Sequence, residues 1–149
     1  MSTRGTYALL LRLDAPQTLL VGALGTLDFP PGWYLYLGSA RGPGGLAARL
    51  ARHRRRTDKR LHWHIDYLRA VATLVEVWTS SGEARQECEW AAAAAALPGA
   101  EVIAPRLGAS DCRCPSHLFH YTRRPAPGAF QTSIQAELKR EPVDDGVDE

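Results

Sequence analysis

Apolar stretches separated by short polar breaks divide the 149-residue chain into a series of strands and a few helices. The run over residues 6–13 reads as a strand and stops at Asp14-Ala15-Pro16. Residues 18–24 and 25–29 predict a second, shorter hairpin turning at Leu24-Gly25, and Pro30-Pro31-Gly32 is a firm break. The aromatic-rich stretch 33–38 is the next strand. A glycine-rich loop over 39–44 feeds a helix over 45–54, with Leu46 and Leu50 one turn apart on its core face. Residues 54–59 form a polar connection. Residues 62–71 are helical or irregular, with bulk from Trp63, Ile65, Tyr67 and Leu68. Alternation over 73–79 predicts a strand. Ser80-Ser81-Gly82-Glu83 reads as a helix start, and 84–97 as the strongest helix, because six consecutive alanines favour helix and Pro98-Gly99 ends it. Short strands are expected at 101–103 and 118–122. From residue 123 onward proline, glycine and acid dominate, which predicts mobility, with a short helix near 133–140. No internal repeat is visible.

Composition adds class and compartment. Hydrophobic content of 45% and charged content of 23% are those of a globular domain, and the length suits one domain over 1–125 followed by a flexible acidic tail over 126–149. No apolar run reaches the roughly 18 residues that span a bilayer, so no membrane partner is expected, and the first residues lack a signal-peptide layout. Three cysteines allow at most one disulfide, which favours a reduced, cytoplasmic setting. The net charge of +2 is small, but its distribution is not even: 7 of the 18 Lys and Arg residues fall between Arg49 and Arg60, while the last nine residues carry five acids and no base.

Several groups bear chemistry. Tyr7 and Tyr36 sit on predicted strands. A tyrosine hydroxyl titrates near about 10 and is a poor base unless cations lower it. Arg49 and His53, four apart on one helix face, are placed to do so. Packing alone would equally explain two strand-borne aromatics. Arg49 lies between Leu46 and Leu50, near the buried face, where a guanidinium needs a reason; a planar fork matches the oxygens of a reacting phosphate. Arg52, Arg54, Arg55, Arg56, Lys59 and Arg60 read as a landing surface for a phosphate backbone. In His62-Trp63-His64-Ile65-Asp66-Tyr67, the histidines are proton shuttles or structural hydrogen-bonders, and His62 and Asp66 share a helix face. Glu87, three residues before Trp90, is a candidate ligand for Mg²⁺ or Mn²⁺, which takes one or two carboxylates plus waters; Glu89 is its neighbour. Asp111-Cys112-Arg113-Cys114-Pro115-Ser116-His117, with Cys88 in reserve, resembles a zinc ligand set. The Cys-x-Cys gap is tighter than in standard fingers, and a reduced, packed thiol cluster is preferred over zinc at Cys112, Cys114 and His117.

The order Gly5-Thr6-Tyr7, Tyr36-Leu37-Gly38, Arg49-x-x-x-His53 and a downstream helical Glu87 resembles the GIY-YIG nuclease superfamily. Gly38-Ser39-Ala40, Gly45-Leu46, the segment His62 to Leu68 and the segment Asp111 to Leu118 are similar to its Uri-type branch, small proteins sometimes joined to DNA-repair glycosylases. The resemblance runs from about Gly5 to Tyr121. It implies an α+β fold with a small, mostly antiparallel central sheet flanked by helices, and a one-metal hydrolysis of a nucleic-acid backbone. Tyr7 and Tyr36 would shape and activate the water, Arg49 would stabilise the pentavalent phosphorus, His53 and His62 would assist proton movement, and Glu87 would hold the divalent cation. The sequence departs from the pattern at Thr6, in a long gap between the tyrosines that fits an inserted hairpin over about 14–29, and in having no asparagine after the metal glutamate; Ser116 or His117 would substitute.

The expected activity is therefore metal-dependent hydrolysis of DNA in repair or processing, with other repair proteins as partners. Single-stranded or flapped DNA is favoured because Trp33, Tyr34 or Trp63 could stack unpaired bases. The alternatives are a nucleic-acid-binding module without catalysis and a zinc-stabilised structural protein.

Overall fold

The structure, a computed structural model, describes residues 3–55, 63–82, 86–109, 112–135 and 137–143. Arg56, Lys59, Arg60, His62, Asp111 and the terminal acids from 144 onward lie outside the described residues.

Seven strands and four α-helices follow in the order β1 (Gly5–Leu13), β2 (Gln17–Leu20), β3 (Thr26–Phe29), β4 (Gly32–Ala40), α1 (Gly45–Arg54), α2 (His64–Arg69), β5 (Thr73–Ser81), α3 (Glu87–Ala96), β6 (Leu118–Tyr121), α4 (Pro127–Ile134) and β7 (Lys139–Pro142). The central sheet runs β6-β4-β1-β5-β7 with every pairing antiparallel, and β2 and β3 form a separate hairpin inserted between β1 and β4. The α+β class, the antiparallel sheet and the inserted hairpin agree with the sequence reading. The hairpin strands are shorter than expected, because a 3₁₀ turn at Gly22–Leu24 makes the connection.

Strand β1 is apolar on both faces because both are covered. Tyr7, Leu9, Leu11 and Leu13 pack with Leu50 of α1, Ile65 and Leu68 of α2, and the hairpin residues Leu19 and Leu27. Ala8 and Leu10 face the opposite core, built from Trp78, Trp90, the α3 alanines and Phe130. The alanines let α3 lie close over β4, and Phe130 of α4 stacks between Trp78 and Trp90 at 5.3 Å from each ring.

Three expectations are corrected. Ser80 and Ser81 continue β5 and do not start a helix; α3 begins only at Glu87. The strand expected at 101–103 is a single bridge between Glu101 and His120. The segment from 126, expected to be a flexible tail with a helix near 133–140, instead carries α4, whose Phe130 is fully buried, and then β7 on the sheet edge. Phe130, with Ile134 and Leu138 packed against the same core, anchors that stretch, and β7 is paired to β5 and further fastened by charge. Glu76 of β5 accepts hydrogen bonds from Trp78 Nε1 at 2.6 Å and from Arg140 at 2.7 and 3.1 Å, and pairs with Arg124 at 3.3 Å. Burial pushes the Glu76 carboxyl up, but the Arg140 and Trp78 hydrogen bonds and the two arginine charges bring it below its ordinary value. Glu76→Ala should therefore cost about 2–3 kcal/mol in chemical denaturation by stranding the Trp78 donor and both cations, whereas Arg124→Ala, on an exposed side chain, should cost less than about 1 kcal/mol.

Candidate active site and a neighbouring Cys–His group

The N-terminal end of β1 and the C-terminal end of β4 meet beneath α1. There the antiparallel register sets Tyr7 opposite Gly38. A Cβ at position 38 would lie 2.5 Å from the Tyr7 ring and hydroxyl, so the missing side chain is the slot in which the ring rests. Tyr36, two residues earlier on the same face, lies against Gly108, whose φ of +73° is a left-handed conformation that favours glycine. Tyr7 is 1% exposed and Tyr36 8%.

Helix α1 brings two more of the expected residues to the tyrosines. His53, fully buried, places Nε2 2.7 Å from the Tyr7 hydroxyl, and its ring packs against those of Tyr7, Tyr36 and Trp63. Arg49, half-buried, donates to the carbonyl of Ser39 at 2.9 Å and lies 4.5 Å over the Trp63 ring. The cations were expected to lower the tyrosines, and the net shift is the reverse. Burial raises Tyr7 to about 12 against the opposing pull of Arg49, and burial also holds Tyr36 well above its ordinary value.

A cavity of about 630 Å³ opens at this end of the sheet, and Tyr7, Tyr36, Arg49, His64, Glu87 and His117 all line it, with Arg41 at the β4–α1 loop. Glu87 reaches it from the first turn of α3, on the other layer of the fold. His64, held below its ordinary value by burial, accepts a hydrogen bond from the Gly108 amide at 3.2 Å. The Ser39 hydroxyl is buried on the wall and has no hydrogen-bond partner among the described residues.

The remaining basic residues separate. Arg52 turns inward: both its terminal nitrogens bind the fully buried Asp66 carboxylate at 2.7 and 2.9 Å, and its guanidinium lies 4.2 Å over Trp63. Asp66 is thus taken by a cation, as a buried carboxylate requires, and it also accepts from the Trp63 amide at 2.8 Å. Arg54 and Arg55 are exposed, and Arg54 pairs loosely with Glu141 at 3.6 Å. Of the three aromatics expected to stack bases, Tyr34 is corrected by its burial. Tyr34 is fully buried with its hydroxyl donating to the Pro30 carbonyl at 2.5 Å, and the Trp63 ring is engaged by two guanidiniums. Trp33 is partly exposed, with Arg12 and Arg124 over it at 5.9 and 5.2 Å.

Sequence reasoning passed over Arg69. It is fully buried and donates to the carbonyls of His53, Arg54 and Ala72 at 2.7–2.9 Å, closing the C-terminal end of α1. Its position in an apolar-bounded helix, next to Leu68, was the available signal.

Beside the cavity, Cys88, Cys112, Cys114 and His117 bring their ligand atoms within 4.8 Å of one another, forming a group able to hold a metal ion. His117 Nε2 is 3.4 Å from Cys112 Sγ and 4.0 Å from Cys88 Sγ. The reduced thiol cluster expected from the sequence is present, and Cys114 packs against the core. All three thiols are free; Cys112 and Cys114 are partly buried, while Cys88 is exposed, so apolar packing does not account for Cys88.

Two outcomes follow from the tyrosine slots. Gly38→Ala should expel the Tyr7 ring and destabilise the protein by about 1–3 kcal/mol in a denaturant titration, the cost of overpacking a buried site. Because the folded-state value of Tyr7 lies above its unfolded value of 10.0, its contribution is fully present below pH 10 and is lost as pH rises toward about 12. Thermal melts should show stability falling steeply across that window, and Tyr7→Phe should make the fall shallower.

No curated protein and no solved structure matches the chain. A family model does match, over residues 6–139, and on that match the chain belongs to the family described as Domain of unknown function DUF123.

Proposed function

We propose that the protein is a metal-dependent nuclease of the GIY-YIG type that hydrolyses DNA phosphodiester bonds. The observation carrying this reading is the convergence of Tyr7, Tyr36, Arg49 and Glu87, from two strands and two helices in different layers, on one cavity. Packing explains each tyrosine alone; it does not explain why a half-buried arginine and a carboxylate share the space their hydroxyls edge.

The residues suit a one-cation site. Glu87 supplies one hard oxygen donor in an open cavity, the pattern by which Mg²⁺ or Mn²⁺ is held with waters and substrate oxygens completing the set. When bound, such an ion would neutralise phosphate charge and make a water more acidic. Arg49 is placed for the charge that builds on the nonbridging oxygens. Its bond to the Ser39 carbonyl and its stacking on Trp63 orient the fork before substrate arrives.

Tyr7 works as a relay rather than as a stored phenolate, because burial holds it at about 12. As water attacks phosphorus, its proton passes to the Tyr7 oxygen, the Tyr7 proton passes to His53 Nε2 across the 2.7 Å contact, and the leaving oxygen is protonated from solvent. Tyr36, against His53 at 6.2 Å between rings, fixes the imidazole. The exposed Arg54 and Arg55 remain as phosphate contacts. DNA repair or processing, on single-stranded or flapped substrates, is the role in which a small domain of this kind would serve. Soft thiolates suit zinc better than magnesium, so a metal held by the Cys–His group would be distinct from a cation at Glu87.

The test is cleavage of labelled single- and double-stranded DNA with Mg²⁺ or Mn²⁺. Arg49→Ala and Glu87→Ala should each lower kcat by about 10²–10³, and Tyr7→Phe and His53→Ala should fall together and non-additively, as members of one relay. Equal cleavage by all variants would sink the reading. Salt-sensitive binding without turnover under either metal would assign the chain to the non-catalytic class.

A further inference from the structure

The metal-binding group and the cavity share one helical turn. Glu87 and Cys88 are the first two residues of α3, and that end of the helix has no side-chain cap. His117 belongs to both places: it lines the cavity, and its Nε2 faces the sulfurs of Cys88 and Cys112. The loop carrying the other ligands is already bound in place. Arg106 Nη1 and Nη2 donate to the carbonyls of Cys114 and Cys112 at 2.6 Å, its amide donates to the Pro115 carbonyl, and the His117 carbonyl accepts from the Leu37 amide of β4 at 3.0 Å. Three ligands therefore sit on a segment fastened to the sheet, and the fourth sits on the first turn of α3.

We propose that Cys88, Cys112, Cys114 and His117 hold a zinc ion whose function is to clasp the start of α3 to the sheet and so to hold Glu87 in the cavity. Three sulfurs and one imidazole are a structural zinc set. Bonds of about 2.3 Å to sulfur and about 2.0 Å to nitrogen make ligand–ligand edges of about 3.5–3.8 Å. The four ligand atoms, within 4.8 Å of one another, need only a small contraction to reach them. Binding converts three thiols to thiolates, releases three protons and leaves a net charge of −1, against which the Arg106 guanidinium already lies. The exposed Cys88 thiol, which packing does not explain, becomes the link between the ion and the helix.

The clasp rests on Glu87 being a cation-holding carboxylate, so three readings are needed. Elemental analysis of the full chain, purified under reducing conditions, should give one zinc per chain, and Co²⁺ in its place should give the visible bands and the thiolate charge-transfer absorption of a tetrahedral thiolate site. Cys88→Ser, which leaves the loop intact, should lose both. Mn²⁺ binding, followed by electron paramagnetic resonance and assigned by its loss in Glu87→Gln, should weaken at least tenfold when zinc is removed by a thiolate-competing chelator and recover when zinc is restored. DNA cleavage should follow the same cycle. Absence of stoichiometric zinc, or a disulfide consuming two of the thiols, would overturn the site. Zinc that can be removed and restored with no change in Mn²⁺ affinity would overturn the clasp. Zinc-dependent Mn²⁺ binding without DNA cleavage would uphold the clasp and defeat the nuclease reading alone.

Discussion

A tyrosine ring can lie flat across a neighbouring strand only where that strand lacks a Cβ, and the Tyr7–Gly38 pair is the constraint on which this site depends. The two residues are direct cross-strand partners, and the ring occupies the volume that a side chain at 38 would need. This carries the hydroxyl past the edge of β4 to His53. Tyr36 likewise rests against a glycine, the loop residue Gly108. Burial is the cost: both hydroxyls resist ionisation, so any proton chemistry at Tyr7 must use the imidazole it already touches.

The pose of α1 matters as much, because Arg49 and His53 are one turn apart on it. Two buried charges fix that helix. Arg69 takes the last carbonyls, where the helix dipole is negative, and Asp66 takes Arg52 with bidentate geometry. Trp63, between the helices, receives both Arg49 and Arg52 on its ring. Removing one member would leave a buried charge without its complement, a larger penalty than the pair itself contributes. The basic block therefore has two physical roles. Arg52 serves the interior, and its neighbours Arg54 and Arg55 are exposed at the surface.

Much of the fold was legible because local signals agreed with tertiary ones. Residues 45–54 form α1 with the limits that the glycines and the Leu46–Leu50 spacing indicated, and the Pro30-Pro31-Gly32 break marks the start of β4. What was not legible depended on partners distant in sequence. Plain alternation puts Leu74 on the same face as Glu76 and Trp78; a bulge in the pairing with β1, between Leu10 and Leu11, moves Leu74 to the other core. The Pro- and Gly-rich stretch after 123 carries little local signal, and Phe130 and the Arg140–Glu76 pair decide its structure. Within the site, Tyr7, Tyr36, Arg49, His53 and Glu87 came together as their order suggested. The inward turn of Arg52 and the burial of Tyr34 are consequences of packing that residue type alone could not express, whereas the gathering of Cys88 with Cys112, Cys114 and His117 was already suggested by residue type.

The adjacency of Glu87 and Cys88 shows how one helix end serves two neighbouring places. Successive residues of an α-helix point about 100° apart, so a single first turn can present a carboxylate to the cavity and a thiol to the Cys–His group. The body of α3 is immobilised by Trp90, Ala91 and Ala94 in the core, but its alanines are small and its start has no side-chain cap. Rotation or fraying of that first turn would move both groups together. Any contact that fixes Cys88 consequently fixes Glu87, and the reverse holds by the reciprocity of linked equilibria. The carboxylate alone, one oxygen donor on an uncapped turn, is a weak anchor. Two sulfurs and an imidazole on a loop fastened to β4, joined by the Cys88 sulfur of α3, would form the stronger one, and under the proposed clasp the weaker site would take its position from the stronger.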